Sequence, residues 1–137
     1  MRQHQEVFRF ATNCRGIYEI SDEVGLVVER SGLVMGLCTV YCMHTSASLV
    51  IQENADPSAR ADLEGALDRL VPEDDPHYTH TLEGPDDMPS HTKAALTHTS
   101  ESIPVVAGRL VLGTWQGIYL WEQRTASHQR RVTITVH

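Results

Sequence analysis

Leu33-Val34-Met35-Gly36-Leu37-Cys38-Thr39-Val40-Tyr41-Cys42-Met43 is an apolar run rich in β-formers, and it decides how the rest of the chain reads. It predicts a central strand. Cys38 and Cys42, four residues apart, share one face of such a strand and lie too far apart to bond easily. No CxxC occurs, so these two and Cys14 read as free thiols in a reducing compartment. A tight connection at His44 to Ala47 leads into a neighbouring strand, Ser48 to Gln52.

On the N-terminal side, Glu6 to Ala11 alternates and predicts a strand, and Ile17 to Ile20 a second. Ser21 is placed to cap a short helix with Asp22 and Glu23 in its first turn, running to Ser31 and stopping at Gly32. On the C-terminal side the clearest helix is capped by Asp56, has Pro57 at its first position and ends at Pro72. Leu63, Leu67 and Leu70 recur on one side of it, with Ala59 and Ala66. Glu73 to Pro89 has no period and holds six acids, three prolines and two histidines. A loop of that length in a small domain is functional or disordered. Ser90 to Ser100 predicts a short helix capped by Ser90. Strands follow at Ile103 to Val106, Arg109 to Leu112, Ile118 to Trp121 and Arg131 to Val136, with a hairpin turn at Ala107-Gly108. Consecutive strands with short turns predict an α+β fold: antiparallel sheets, sandwich-like, with two or three helices on one face. The 137 residues suit a single domain.

The formal net charge of −7 argues against a phosphate-backbone partner such as DNA or RNA. No signal-peptide core or membrane-length apolar run is evident, and both point to the cytoplasm. No Gly-rich turn opens a helix, so dinucleotide and P-loop functions lack support. Glu53 to Asp87 carries eleven acids and two bases, whereas Lys93 to His137 carries five bases and two acids. The two stretches either face each other across a site or the acidic one is a solvated helix and loop.

Eight histidines are many for this length. His80 and His91 flank Glu83, Asp86 and Asp87, a donor mixture that suits zinc or another divalent ion, although the spacing is not a compact motif. The alternative is surface histidines in a polar loop. His44 stands at the end of the central strand, on a rigid element, beside three hydroxyls. No nucleophile elbow is present, which disfavours covalent Ser-His catalysis. Glu53 and Asn54 precede the best helix, and Trp115 within Gly113-Thr114-Trp115-Gln116-Gly117 is placed either to stack on a planar ligand or to pack a hairpin. Arg124, Arg130 and Arg131 are either phosphate-matching forks or a solvated basic loop.

Taken together, six blocks resemble the YjbQ-like family in order along the chain. They are His44-Thr-Ser-Ala-Ser-Leu49, Glu53-Asn54-Ala-Asp-Pro57, His80 with Glu83-Gly84, Asp86-Asp87-Met-Pro-Ser-His91, Gly113-Thr-Trp-Gln-Gly-Ile118 and Arg130-Arg131. The resemblance implies a homotrimer with the histidines pooled near subunit boundaries, and a side activity as a thiamine-phosphate synthase. It implies His44, His80 and His91 as ligands of a divalent metal, zinc or magnesium. It implies Glu53, Asn54, Asp86, Asp87, Trp115 and Gln116 as pocket residues, with Lys93 at a spacing the family shares. The expected catalytic residues are then Glu53, Asp86, Asp87 and Lys93, and the expected contacts to a small phosphorylated metabolite are Asn54, Trp115, Gln116 and the forks of Arg124 and Arg131. Two departures stand out: Gln123 where relatives often carry histidine, and Pro85 where many carry asparagine. The implied reaction joins an aminopyrimidine diphosphate to a thiazole phosphate. The rivals are a metal- or phosphometabolite-binding protein without turnover, and a metal-dependent hydrolase with Glu53 or Asp87 as base.

Overall fold

Alternation along the strands builds two antiparallel sheets. The computed structural model describes residues 2–137. In order come β1 (His4–Thr12), β2 (Gly16–Glu19), α1 (Ser21–Ser31), β3 (Met35–Cys42), β4 (Ala47–Glu53), α2 (Pro57–Leu70), α3 (Asp87–Leu96), β5 (Ser100–Val106), β6 (Arg109–Leu110), β7 (Gln116–Glu122) and β8 (His128–Val136). The larger sheet has the order β1-β8-β3-β5-β6, with the expected central strand in its middle, and the smaller has β2-β7-β4.

The sheets face each other across the main core. Cys38, Val40, Ile103, Val132 and Ile134 project from the larger sheet onto Leu49, Ile118 and Leu120 of the smaller, with Val24, Val27 and Val28 of α1 beside them. The smaller sheet has a second apolar face. There Val50, Tyr119 and Trp121 pack against Leu67 of α2 and Val71 just beyond it. Strand β7 is therefore buried on both sides, which explains its unbroken run Gly117 to Glu122 of buried positions. The outer face of the larger sheet is open: Val7, Met35, Leu37, Tyr41 and Val106 are exposed there. The helices accordingly lie on the side that carries the smaller sheet.

Local details differ from the sequence reading. Ser21 does not cap α1. Its hydroxyl donates to Glu19 Oε2 and accepts from the Ile118 N–H, so the cap position falls to Ile20, with no side-chain bond. Asp56 caps α2 as expected, taking the Ser58 N–H at 2.9 Å. Leu70 is exposed rather than part of the α2 stripe, because the chain leaves the helix and buries Val71 instead. Helix α3 starts at Asp87, three residues ahead of the expected cap, and Ser90 lies inside it donating to the Asp86 and Gln123 carbonyls. It stops at Leu96 because His98 leaves the helix to pair with Leu49 of β4. The Ala107-Gly108 hairpin forms with φ of 54° and 74°, the left-handed pair that a two-residue turn of this hand requires. Strand β6 is cut to two residues.

Candidate metal centre

Asp87 and His91 are four residues apart on α3 and so share one face of the helix. His80, from the preceding acidic loop, folds back onto them. His80 Nε2 lies 2.8 Å and His91 Nε2 3.2 Å from the same oxygen, Asp87 Oδ2. The three donor atoms all lie within 4.8 Å of one another. His91 Nδ1 is 2.8 Å from the Thr45 carbonyl, which only accepts, so Nδ1 carries the hydrogen. In the neutral ring Nε2 then presents a lone pair to a carboxylate oxygen that is itself acceptor-only. A cation between them satisfies both. Tetrahedral zinc, with bonds of about 2.0–2.1 Å, holds its ligand atoms about 3.3 Å apart, near the 2.8 and 3.2 Å at which the two imidazoles approach Asp87. The donor set fits a divalent metal, and the Thr45 carbonyl supplies the outer contact that orients a ligating imidazole.

The acids are held from behind. Arg124 donates from Nε to Asp86 Oδ2 (2.9 Å), from Nη1 to Asp87 Oδ1 (2.8 Å) and from Nη2 to the Glu83 carbonyl (3.0 Å). Burial works to raise the Asp86 carboxyl, but the Arg124 guanidinium and the Thr125 N–H outweigh it and hold it at about 2. Arg124 therefore positions Asp87 rather than reaching toward a substrate.

Beside His91 opens a cavity of about 580 Å³ whose wall includes Tyr41, Met43, His44 and Ala94. His44 shares this cavity but does not complete the expected three-histidine set. Its Nε2 accepts the Arg131 backbone N–H at 2.7 Å, standing in for a ladder carbonyl. Burial first, then the Arg130 and Arg131 charges, lower its pKa and favour the neutral ring. The third donor at the centre is Asp87, for which the sequence predicts a catalytic role rather than a ligating one.

Other expected site residues lie elsewhere. Lys93 is two residues from His91, about 200° around the helix. Its buried ammonium bonds Asp68 of α2 at 2.6 Å, tying the two helices. The β4–β7 register sets Ala47 opposite Glu122 at the end near His91 and Glu53 opposite Gln116 at the other, about 20 Å apart along the strands. At that far end Asn54 Nδ2 donates to the Gln116 carbonyl, the Glu53 carbonyl accepts from the Tyr119 hydroxyl, and Trp115 is 63% exposed. Within one chain these residues do not meet the histidines. Arg131 is exposed on the outer face of the larger sheet.

Sequence reasoning missed a buried pair under the site. Glu122 and Arg130, almost fully buried, are joined by Arg130 Nε to Glu122 Oε1 at 2.7 Å, and Arg130 also donates to Ser46 Oγ. The adjacent Gln123 is buried too, and its Nε2 has no partner among the described residues.

The family description "UPF0047 protein YjbQ-like" matches residues 6–137. The chain belongs to that family. It is 53% identical to the UPF0047 protein sll1880 of Synechocystis over 98% of this chain and 92% of that protein. It is 40% identical to the UPF0047 protein YjbQ of Escherichia coli O157:H7, over 97% and 96%. Among solved structures, an uncharacterized conserved protein of the YjbQ/UPF0047 family from Clostridium acetobutylicum superposes with a TM-score of 0.86 at 34% identity, covering 97% of this chain and 98% of that one. The resemblance read from the six blocks is thus correct at the level of family and fold. Among the described residues of this YjbQ-like chain, no helix is long and apolar enough to cross a membrane.

Proposed function

We propose that this YjbQ-like protein is a divalent-metal-dependent enzyme acting on a phosphorylated small molecule, with His80, Asp87 and His91 as the metal-holding set. One observation carries the reading: two imidazole nitrogens converge on a single carboxylate oxygen at the edge of a cavity. A bound divalent ion supplies positive charge for a departing diphosphate and polarises a phosphoryl oxygen or a water. The chain's own residues do the positioning. Thr45 fixes the His91 ring, and Arg124 fixes Asp87. Two imidazoles and a carboxylate favour zinc over magnesium.

The reaction we assign is the one the six-block resemblance suggests. The thiazole nitrogen forms a bond to the pyrimidine methylene carbon, the carbon–oxygen bond to diphosphate breaks, and pyrophosphate leaves with thiamine phosphate as product. Positioning of the two partners supplies much of the rate, and no covalent nucleophile is needed. Glu53, Asn54, Trp115 and Gln116 take part only if a neighbouring subunit brings them to the histidines. A homotrimer packed through the apolar β3–β5 part of that open face, where Met35, Leu37, Tyr41 and Val106 are exposed, is the assembly we assign. Free, buried Cys38 and Cys42 fit a reducing compartment, the cytoplasm. A metal-dependent phosphoester hydrolase is the second reading, favoured because three protein donors beside an open cavity is the ligand count of catalytic rather than structural zinc.

Protein purified without added metal and analysed for metal content tests the centre. About one ion per chain is expected, lost in His80→Ala and His91→Ala and retained in His44→Ala. Loss in His44→Ala alone would overturn the ligand set. Assay of the loaded protein with the two thiamine precursors and with generic phosphoesters then separates coupling, hydrolysis and binding without turnover.

A further inference from the structure

Strands β1 and β8 set Arg9 directly opposite Arg131. Directly opposed residues on one face have Cβ atoms about 4.5–5.5 Å apart, and like charges there are destabilising. Both arginines are exposed on the outer face of the larger sheet. Among the described residues neither guanidinium meets a carboxylate or any other acceptor, whereas those of Arg15, Arg30, Arg124 and Arg130 each do. Their cross-strand neighbours, Val7 with Thr133 and Ala11 with Gln129, bring no counter-charge. Arg9, Arg131 and Gln129 together line a cavity of about 340 Å³. In a chain of net charge −7, an uncompensated cationic pair framing a cavity with one carboxamide is a frustrated arrangement that a ligand can relieve.

We infer that Arg9, Arg131 and Gln129 form an oxyanion site for a phosphate group, inorganic or at the end of a monoester. A phosphate dianion matches the two positive charges, guanidinium forks match its oxygens, and the Gln129 amide adds a neutral donor. The site is distinct from the His80–Asp87–His91 centre and does not rest on the metal reading.

The probe is inorganic phosphate, titrated calorimetrically into the full chain stripped of metal. Saturable binding is expected, weakened about tenfold or more in Arg9→Gln, since one charge-assisted contact is lost, and unchanged in His91→Ala. Melting curves add a second reading. Without phosphate, Arg9→Gln melts at or above wild type because the repulsion is gone, and a given phosphate concentration raises the wild-type midpoint more than that of the variant. Absence of saturable binding, or equal binding by wild type and Arg9→Gln, overturns the site. If Arg9→Gln instead changes only the mass measured by light scattering, the pair serves contact between copies, and the oxyanion assignment is wrong.

Discussion

Arg124 directs its guanidinium to three acceptors that all belong to the Glu83 to Asp87 segment, so one side chain decides where the carboxylate facing His80 and His91 points. The same contacts give Asp86 an acid-labile contribution to stability. Its folded pKa of about 2 lies below the ordinary aspartate value of about 3.9. The stabilisation is therefore complete above that ordinary value and is lost as pH falls from about 4 to about 2. Its size is about 2 kcal/mol, less what solvent screening removes. Urea unfolding measured across that window should show the decline in wild type and a flatter profile in Arg124→Gln, where the carboxyl is no longer held down. Equal slopes would mean that Arg124 does not set the Asp86 charge.

Strands β7 and β8 belong to different sheets, and the Glu122–Arg130 pair ties them together. Thr12 of β1 donates to Glu122 Oε1 at 2.7 Å, and the Arg124 N–H donates to Oε2. Burial raises the Glu122 pKa, but these donors, Arg130 first, outweigh it and lower the pKa overall. Removing one partner strands a charge in the interior. Arg130→Met should cost about 3–5 kcal/mol, and the double variant Glu122→Gln with Arg130→Met should cost less, because no bare carboxylate is left behind. Denaturant midpoints of the two variants make the comparison; a double variant weaker than the single would refute the buried-charge account. Helix α3 depends on this junction as well, since Ser90 bonds the Gln123 carbonyl next to Glu122.

At the scale of the molecule, one face of the larger sheet stays open while every other apolar surface of the sheets is covered. Met35, Leu37, Tyr41 and Val106 form an apolar stripe there, and contiguous exposed apolar surface is a mark of an interaction site. The trimer proposed above uses this stripe. Replacing Leu37 and Tyr41 together by lysine should then reduce the mass seen in light scattering while far-ultraviolet circular dichroism stays the same. Unchanged mass in that variant would exclude this face as the subunit contact.

Where signals act within one or two turns of chain, the sequence alone determined the outcome. Asp56-Pro57 starts α2, Gly32 ends α1, Ala107-Gly108 turns the hairpin, and the apolar run at Leu33 to Met43 forms the middle strand. The family was legible too, because its blocks are contiguous. The His80–Asp87–His91 cluster was legible only in part. Asp87 and His91 stand four apart, a helical signal hidden by taking Ser90 as the cap. Only the tertiary structure decided the rest. It occupied the His44 ring with an N–H from Arg131, 87 positions away. It turned Lys93 toward Asp68, and it set Glu53 and Trp115 a full strand length from the histidines. The physical reason is that a side chain's availability depends on which donors and acceptors long-range pairing brings to it, and residue spacing carries no record of those partners.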